Sequence, residues 1–158
     1  MEQKTIAGWT IEYNKEATQT AYAELPNDTL GCNCKTCCNF MKATPTVSKT
    51  ILAFFEQFGI ELLKPAEIYE NYSENGRVFY GGWYHIVGNY LTGDDVWQPV
   101  NKDPNHKHIA PMFQVDDEFK VGFTKDLALV PQGFPTPILQ MEVVFSLPWV
   151  LEEPYEKN

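Results

Sequence analysis

The chain has 158 residues, 44% of them hydrophobic and 21% charged, with a formal net charge of -9 and a pI near 4.7. That length builds a hydrophobic core without help from disulfides or metals and fits one domain over 1–158. The acidic balance argues against nucleic acid and anionic membrane surfaces as partners, because both are held through Lys and Arg.

Trp9–Tyr13 and Thr20–Leu25 both read as strands, with the polar stretch 14–19 as the connection of an N-terminal hairpin. Pro26-Asn27-Asp28 ends the second strand, and a cysteine-rich turn follows, Gly31-Cys32-Asn33-Cys34-Lys35-Thr36-Cys37-Cys38-Asn39-Phe40. A short helix is expected from about Cys37 to Met41, with Cys34 or Thr36 as its cap. Thr44-Pro45 then has the form of a helix start, Thr as cap and Pro at the first helical position. Apolar residues recur at helical spacing through Val47, Ile51, Phe54, Phe55, Phe58 and Leu62, and Gly59 reads as the stop, with Ile60 making the accompanying apolar contact. Lys64-Pro65 opens a second short helix to about Asn71.

Beyond Val78 the period changes. Val78–Tyr90 is rich in aromatic and β-branched residues, is interrupted by Gly81, Gly82 and Gly88, and predicts one bent strand or two. Phe119–Thr124 alternates as a half-buried strand. In the last strand Leu139, Met141, Val143, Phe145 and Leu147 share one face, and Gln140, Glu142 and Ser146 share the other. Pro148 ends it, and the acidic tail 152–158 is expected to fray. Strands, then helices, then strands predict an α+β fold, mainly an antiparallel sheet, with an N-terminal hairpin and two helices inserted after the Cys-rich turn.

No basic and apolar leader opens the sequence and no apolar run reaches membrane-spanning length, so a cytoplasmic location is expected. In a reducing compartment clustered Cys favours metal or redox chemistry over structural disulfides. Cys32, Cys34 and Cys37 offer three soft thiolates from one turn, the kind of donor zinc takes, and Cys34-x-x-Cys37 has the spacing that lets two sulfurs converge. No second C-x-x-C pair and no His pair at zinc spacing completes the set. The same Cys34/Cys37 pair at a helix N-terminus, beside Lys35, suits thiol-redox chemistry through a lowered thiol pKa. Against that stand a turn where a thioredoxin-type fold has a buried strand, and the lack of βαβ units, although Pro137 before the last strand is placed like a cis-Pro loop. The bland alternative is that the thiols pack as small apolar groups. A reading of another class is an acidic interaction protein, such as an immunity-type inhibitor, that meets a basic partner through carboxylates and aromatics.

The segment from Cys32 to Glu67 also resembles part of a group of small bacterial proteins that carry C-x-C-x-x-C-x-N-[FY], an amphipathic helix ending in F-G-[IV]-[DE], and K-P-x-E. Here these are Cys32 to Phe40, Phe58-Gly59-Ile60-Glu61, and Lys64-Pro65-Ala66-Glu67. The resemblance implies a shared fold segment and brings no activity. Where the group often has Arg this chain has Cys38, which sets Cys38 outside a shared site.

Other candidates are weaker. His106 and His108 with Asp103 offer a surface metal site, though a solvated loop is the simpler reading. His85 titrates near neutrality and suits a base or a ligand, but in an aromatic strand it reads first as a hydrogen-bonded core residue. Asp116-Asp117-Glu118 and Glu152-Glu153 are adjacent carboxylates that do not converge on one point. No nucleophile elbow, P-loop, dinucleotide fingerprint or H-E-x-x-H occurs, and Ser48, Ser73 and Ser146 stand in no catalytic context, which disfavours classical hydrolase and nucleotide chemistry and leans away from an enzyme.

Overall fold

The structure, a computed structural model, describes residues 1–100 and 112–155, and for Asp103–Ile109 the strand path alone. It is α+β with antiparallel sheet dominant, as the pattern of elements predicts. The N-terminal hairpin, however, is made by β1 (Glu2–Ile6) and β2 (Trp9–Tyr13), one segment earlier than expected.

Thr20–Leu25 is no strand. It belongs to α1 (Lys15–Glu24), which Asn14 caps by accepting the Ala17 N–H at 2.9 Å. Thr18, Ala21 and Tyr22 are its buried residues. They recur at three- and four-residue spacing, and that period overrides the β preference of Thr20 and Tyr22. α2 (Lys35–Ala43) follows the cysteine turn, starting two residues before the expected Cys37. Thr44-Pro45-Thr46 forms only a 3-10 turn, and α3 (Lys49–Phe58) starts afresh with Ser48 as its N-cap, accepting the Ile51 N–H at 3.2 Å. Its end is the predicted one: Gly59 is left-handed at φ 79°, the Ile60 N–H returns to Phe55 O at 3.2 Å, and Ile60 is buried. A side chain at 59 would strike the Lys15 carbonyl of α1, so the glycine also sets how closely the two helices approach.

The helix expected over Lys64–Asn71 is instead the start of β3 (Glu67–Glu74), paired with the first half of β4 (Arg77–Thr92). The reason lies at Asn75-Gly76, both at positive φ, the two-residue turn that joins hairpin strands. β4 is one long strand. β2 pairs with its far half, over Gly88–Thr92. Between these partners the edge at His85–Val87 is served by α1: the Tyr22 hydroxyl donates to His85 O (2.8 Å) and accepts from His85 N (3.1 Å), and Thr18 Oγ1 accepts from Val87 N (2.9 Å).

β5 (Trp97–Val100) and β6 (Asp103–Ile109) form a separate ribbon, and β7 (Phe113–Asp116), β8 (Phe119–Thr124) and β9 (Ile138–Pro148) complete the main sheet in the order β1-β2-β4-β9-β8-β7, with β3 also on β4. α2 and α3 lie on one face. Phe40 contacts Tyr80 and Phe145; Phe55 contacts Tyr84, Phe119 and Phe145, with ring centroids 4.9–6.1 Å apart. All five apolar residues predicted for one face of β9 are buried there. No described helix is long and apolar enough to cross a membrane.

The other face of β9 is also covered. Ala128 N–H donates to Gln140 Oε1 (2.8 Å), and the Trp97 indole N–H donates to Glu142 Oε1 (2.6 Å). Glu142 is 1% exposed, and its Oε2 has no hydrogen-bond partner. Burial pushes its pKa up, with Asp95 and Asp126 adding to the effect. The fold therefore prefers the protonated acid, and stability is lost as pH climbs from the ordinary carboxyl range through the raised value. Glu142→Gln is expected to raise stability by about 1 kcal/mol at pH 8, with the gain shrinking toward pH 4. Denaturant titrations at the two pH values read this; an equal gain at both would refute the buried-charge account.

Candidate metal centre

The turn that leads to the cysteines hangs from two fixed ends. At its start, the Lys64 ammonium, 7% exposed, donates to the Tyr22 carbonyl (2.8 Å) and the Leu25 carbonyl (3.0 Å) and reaches Glu61 Oε2 (3.2 Å). A cation at the C-terminal end of a helix is favoured by its dipole, and here it adds to Tyr22 O, which also accepts the Leu25 N–H. Thr29 adds a bond from its hydroxyl to Pro65 O at 2.6 Å. These contacts give the Lys64-Pro65 element its structural meaning.

At the other end α2 is tied to the sheet by Asn39. This residue is fully buried, donates from Nδ2 to Tyr80 Oη (3.2 Å) and Pro148 O (3.1 Å), and accepts the Val150 N–H (2.7 Å). The Tyr80 hydroxyl in turn donates to Thr36 O at 2.8 Å, inside the first turn of the helix. Phe40, beside Asn39, drives the same helix into the core. The Asn-Phe pair of the motif is thus the anchor of the cysteine-bearing helix.

Between these ends the structure brings Cys32, Cys34 and Cys37 together. Their sulfurs all lie within 4.8 Å of one another, with Cys32 and Cys34 3.1 Å apart. All four cysteines are free thiols. Cys34 is the N-cap of α2 and exposed; Cys37, one turn in, is 8% exposed and forms the floor; Cys32 approaches from the turn. Cys38 faces elsewhere, toward the Asn33 carbonyl at 3.5 Å. It stands outside the trio, as its departure from the motif suggests.

Cys34 and Cys37 are electrostatically unequal. For Cys34 burial alone would raise the pKa. The Thr36 hydroxyl, the nearby Cys37 N–H and the Cys32 and Cys37 thiols stabilise the thiolate, outweigh burial and bring the pKa down to about 6. Cys34 closes no capping hydrogen bond of ordinary geometry, so the contribution of the Cys37 N–H acts without one. For Cys37 burial pushes the thiol up, and proton sharing with Cys32 and Cys34 pushes it further. Cys34 is therefore anionic near neutrality while Cys37 beside it holds its proton, which a soft cation would displace.

The remaining candidates do not form sites of this kind. His85 is 1% exposed, its Nε2 is 3.1 Å from Gln140 Oε1, and burial lowers its pKa, so it is a neutral, hydrogen-bonded core residue at the edge of a cleft of about 620 Å3 that Lys64 and Tyr22 also line. The side chains of Asp103, His106 and His108 lie outside the described residues. Asp116 accepts from the Ser48 hydroxyl (2.6 Å) and Glu118 pairs with Arg77 (3.1 Å), so two carboxylates of that run make fold contacts. Of the tail expected to fray, residues through Tyr155 carry contacts: Trp149 Nε1 donates to Glu153 O (2.7 Å), Tyr155 packs on the Trp149 ring, and Glu153 pairs with Lys35 (3.3 Å). The Thr136–Pro137 bond is cis, but the Pro137 carbonyl accepts from Gly88 N, whereas the cysteines sit over Tyr80. Eight residues of strand, about 25 Å, separate the two, so Pro137 does not face the thiols as a thioredoxin-type loop does.

Asn39, Tyr80 and Lys64 are the positioning residues that pattern reading passed over. The motif itself held the signal for two of them: a polar Asn next to a core Phe, and a Lys directly before Pro. No family model, curated protein or solved structure matches the chain, so the reading of this centre rests on its geometry.

Proposed function

We propose that this protein is a metal-binding module that holds zinc through the thiolates of Cys32, Cys34 and Cys37, in a structural or regulatory role. The observation that carries the reading is the convergence of three sulfurs within 4.8 Å, the closest pair at 3.1 Å. Zinc–thiolate bonds of about 2.3 Å at tetrahedral angles set sulfur separations of about 3.8 Å, inside that span. Sulfurs in a disulfide are far closer, at about 2.05 Å.

Protein purified without added zinc is expected to carry close to one equivalent per chain, read by elemental analysis. Less than about a tenth of an equivalent, with no uptake from a zinc buffer, would sink the proposal.

A second reading, thiol-redox chemistry at Cys34 and Cys37, is favoured by one observation: an exposed thiol with its pKa near 6 set beside a buried thiol whose pKa is raised. It requires native metal-free protein to react with a thiol reagent at Cys34 much faster than at Cys38.

A further inference from the structure

We infer that the metal held here keeps one coordination position open to solution, and that this position takes a low-molecular-weight thiolate. The inference rests on the metal-binding reading above. Zinc takes four ligands, and sites with three protein donors leave the fourth place to water or an exogenous group.

Among the described residues the cluster offers three donors and no more: no His, Asp, Glu or fourth Cys joins them. Polar groups of the cysteine turn and of the elements around it have other partners. Cys38 Sγ is directed at Asn33 O, the Glu153 carboxylate pairs with Lys35, and the Tyr80 hydroxyl is shared between Thr36 O and Asn39. The Thr36 hydroxyl lies 3.5 Å from Cys34 Sγ, and a neutral hydroxyl is a poor ligand beside thiolates.

Exposure sets the direction of the open place. Cys37 closes the site from below, while Cys32 and Cys34 are exposed, so a metal seated on the three sulfurs presents its free side to solvent. The donor set decides the class of ligand. Three thiolates leave the metal soft and a weak Lewis acid, which favours another sulfur donor over hydroxide. The N-terminus of α2, on which Cys34 and Cys37 sit, favours an added anion.

Cobalt(II) in place of zinc tests this, because its thiolate charge-transfer absorption counts Co–S bonds. The cobalt-loaded protein, kept reduced with a phosphine, is titrated with a monothiol. The expected result is a saturable rise of about a third in that band, as three Co–S bonds become four, with cobalt still bound after gel filtration. Cys38→Ser should respond identically. The inference is overturned by a four-thiolate spectrum before any monothiol is added, by a band that does not change, or by loss of cobalt to the thiol. Failure of the protein to bind cobalt or zinc at all overturns the metal reading itself, and is distinct from these.

Discussion

Cys37→Ser should weaken zinc binding by two to three orders of magnitude, measured by competition with a chromophoric chelator, while Cys38→Ser leaves the affinity within a factor of about two. The magnitude follows from the zinc-binding free energy of structural four-ligand sites, about 10–16 kcal/mol, of which one ligand's share is about 3–4 kcal/mol. Ser is nearly isosteric with Cys, so the buried floor of the site keeps its shape and loses only its donor. Cys32→Ser and Cys34→Ser should behave like Cys37→Ser, because all three sulfurs lie in the same cluster and only Cys38 is turned away. Equal affinities in Cys37→Ser and Cys38→Ser would remove the three-thiolate assignment.

Asn39→Ala should cost about 3 kcal/mol or more in denaturant unfolding, because three buried or half-buried partners lose their bonds at once: the Tyr80 hydroxyl, the Pro148 carbonyl and the Val150 N–H. Asn39→Asp separates the two halves of this account. It keeps the acceptor for Val150 but offers no donors and brings a charge to a fully buried position, so it should be no better than Ala. Both variants free α2 from the sheet and are therefore expected to weaken zinc binding even though neither touches a sulfur, as outer-shell changes commonly do by ten- to a hundredfold. A loss below about 1 kcal/mol in Asn39→Ala would mean that Phe40 alone seats the helix.

Local period and turn chemistry made several features legible. The end of α3 at Gly59 and Ile60 was readable because a left-handed stop is a property of a few adjacent residues. So was the inner face of β9, where five apolar side chains alternate without a break. The errors came where two local signals competed. Thr20 and Tyr22 favour strands, yet the spacing of Thr18, Ala21 and Tyr22 joins them to a helix already capped by Asn14. Lys64-Pro65 imitates a helix start, yet Asn75-Gly76 folds the following segment back on β4. Nothing local shows that Gln140 and Glu142, in polar alternation, are buried beneath Trp97 and the 125–136 loop. At the site the donors were visible as letters, while the groups that place them were not, because Tyr80 and Pro148 reach Asn39 across 41 and 109 residues of chain.

The cysteine turn is bounded by Lys64 on the last carbonyls of α1 and by Asn39 under α2, and each attachment is complete without any ligand. The aromatic core and the sheet are built from residues outside the three cysteines, apart from the buried Cys37. A classical zinc finger collapses when stripped, because binding and folding are one event. Under the proposed zinc-binding reading the two would be separate events, and the cation would be one that the scaffold can surrender and regain. That would suit the regulatory form of the proposed role, in which occupancy changes while the protein persists.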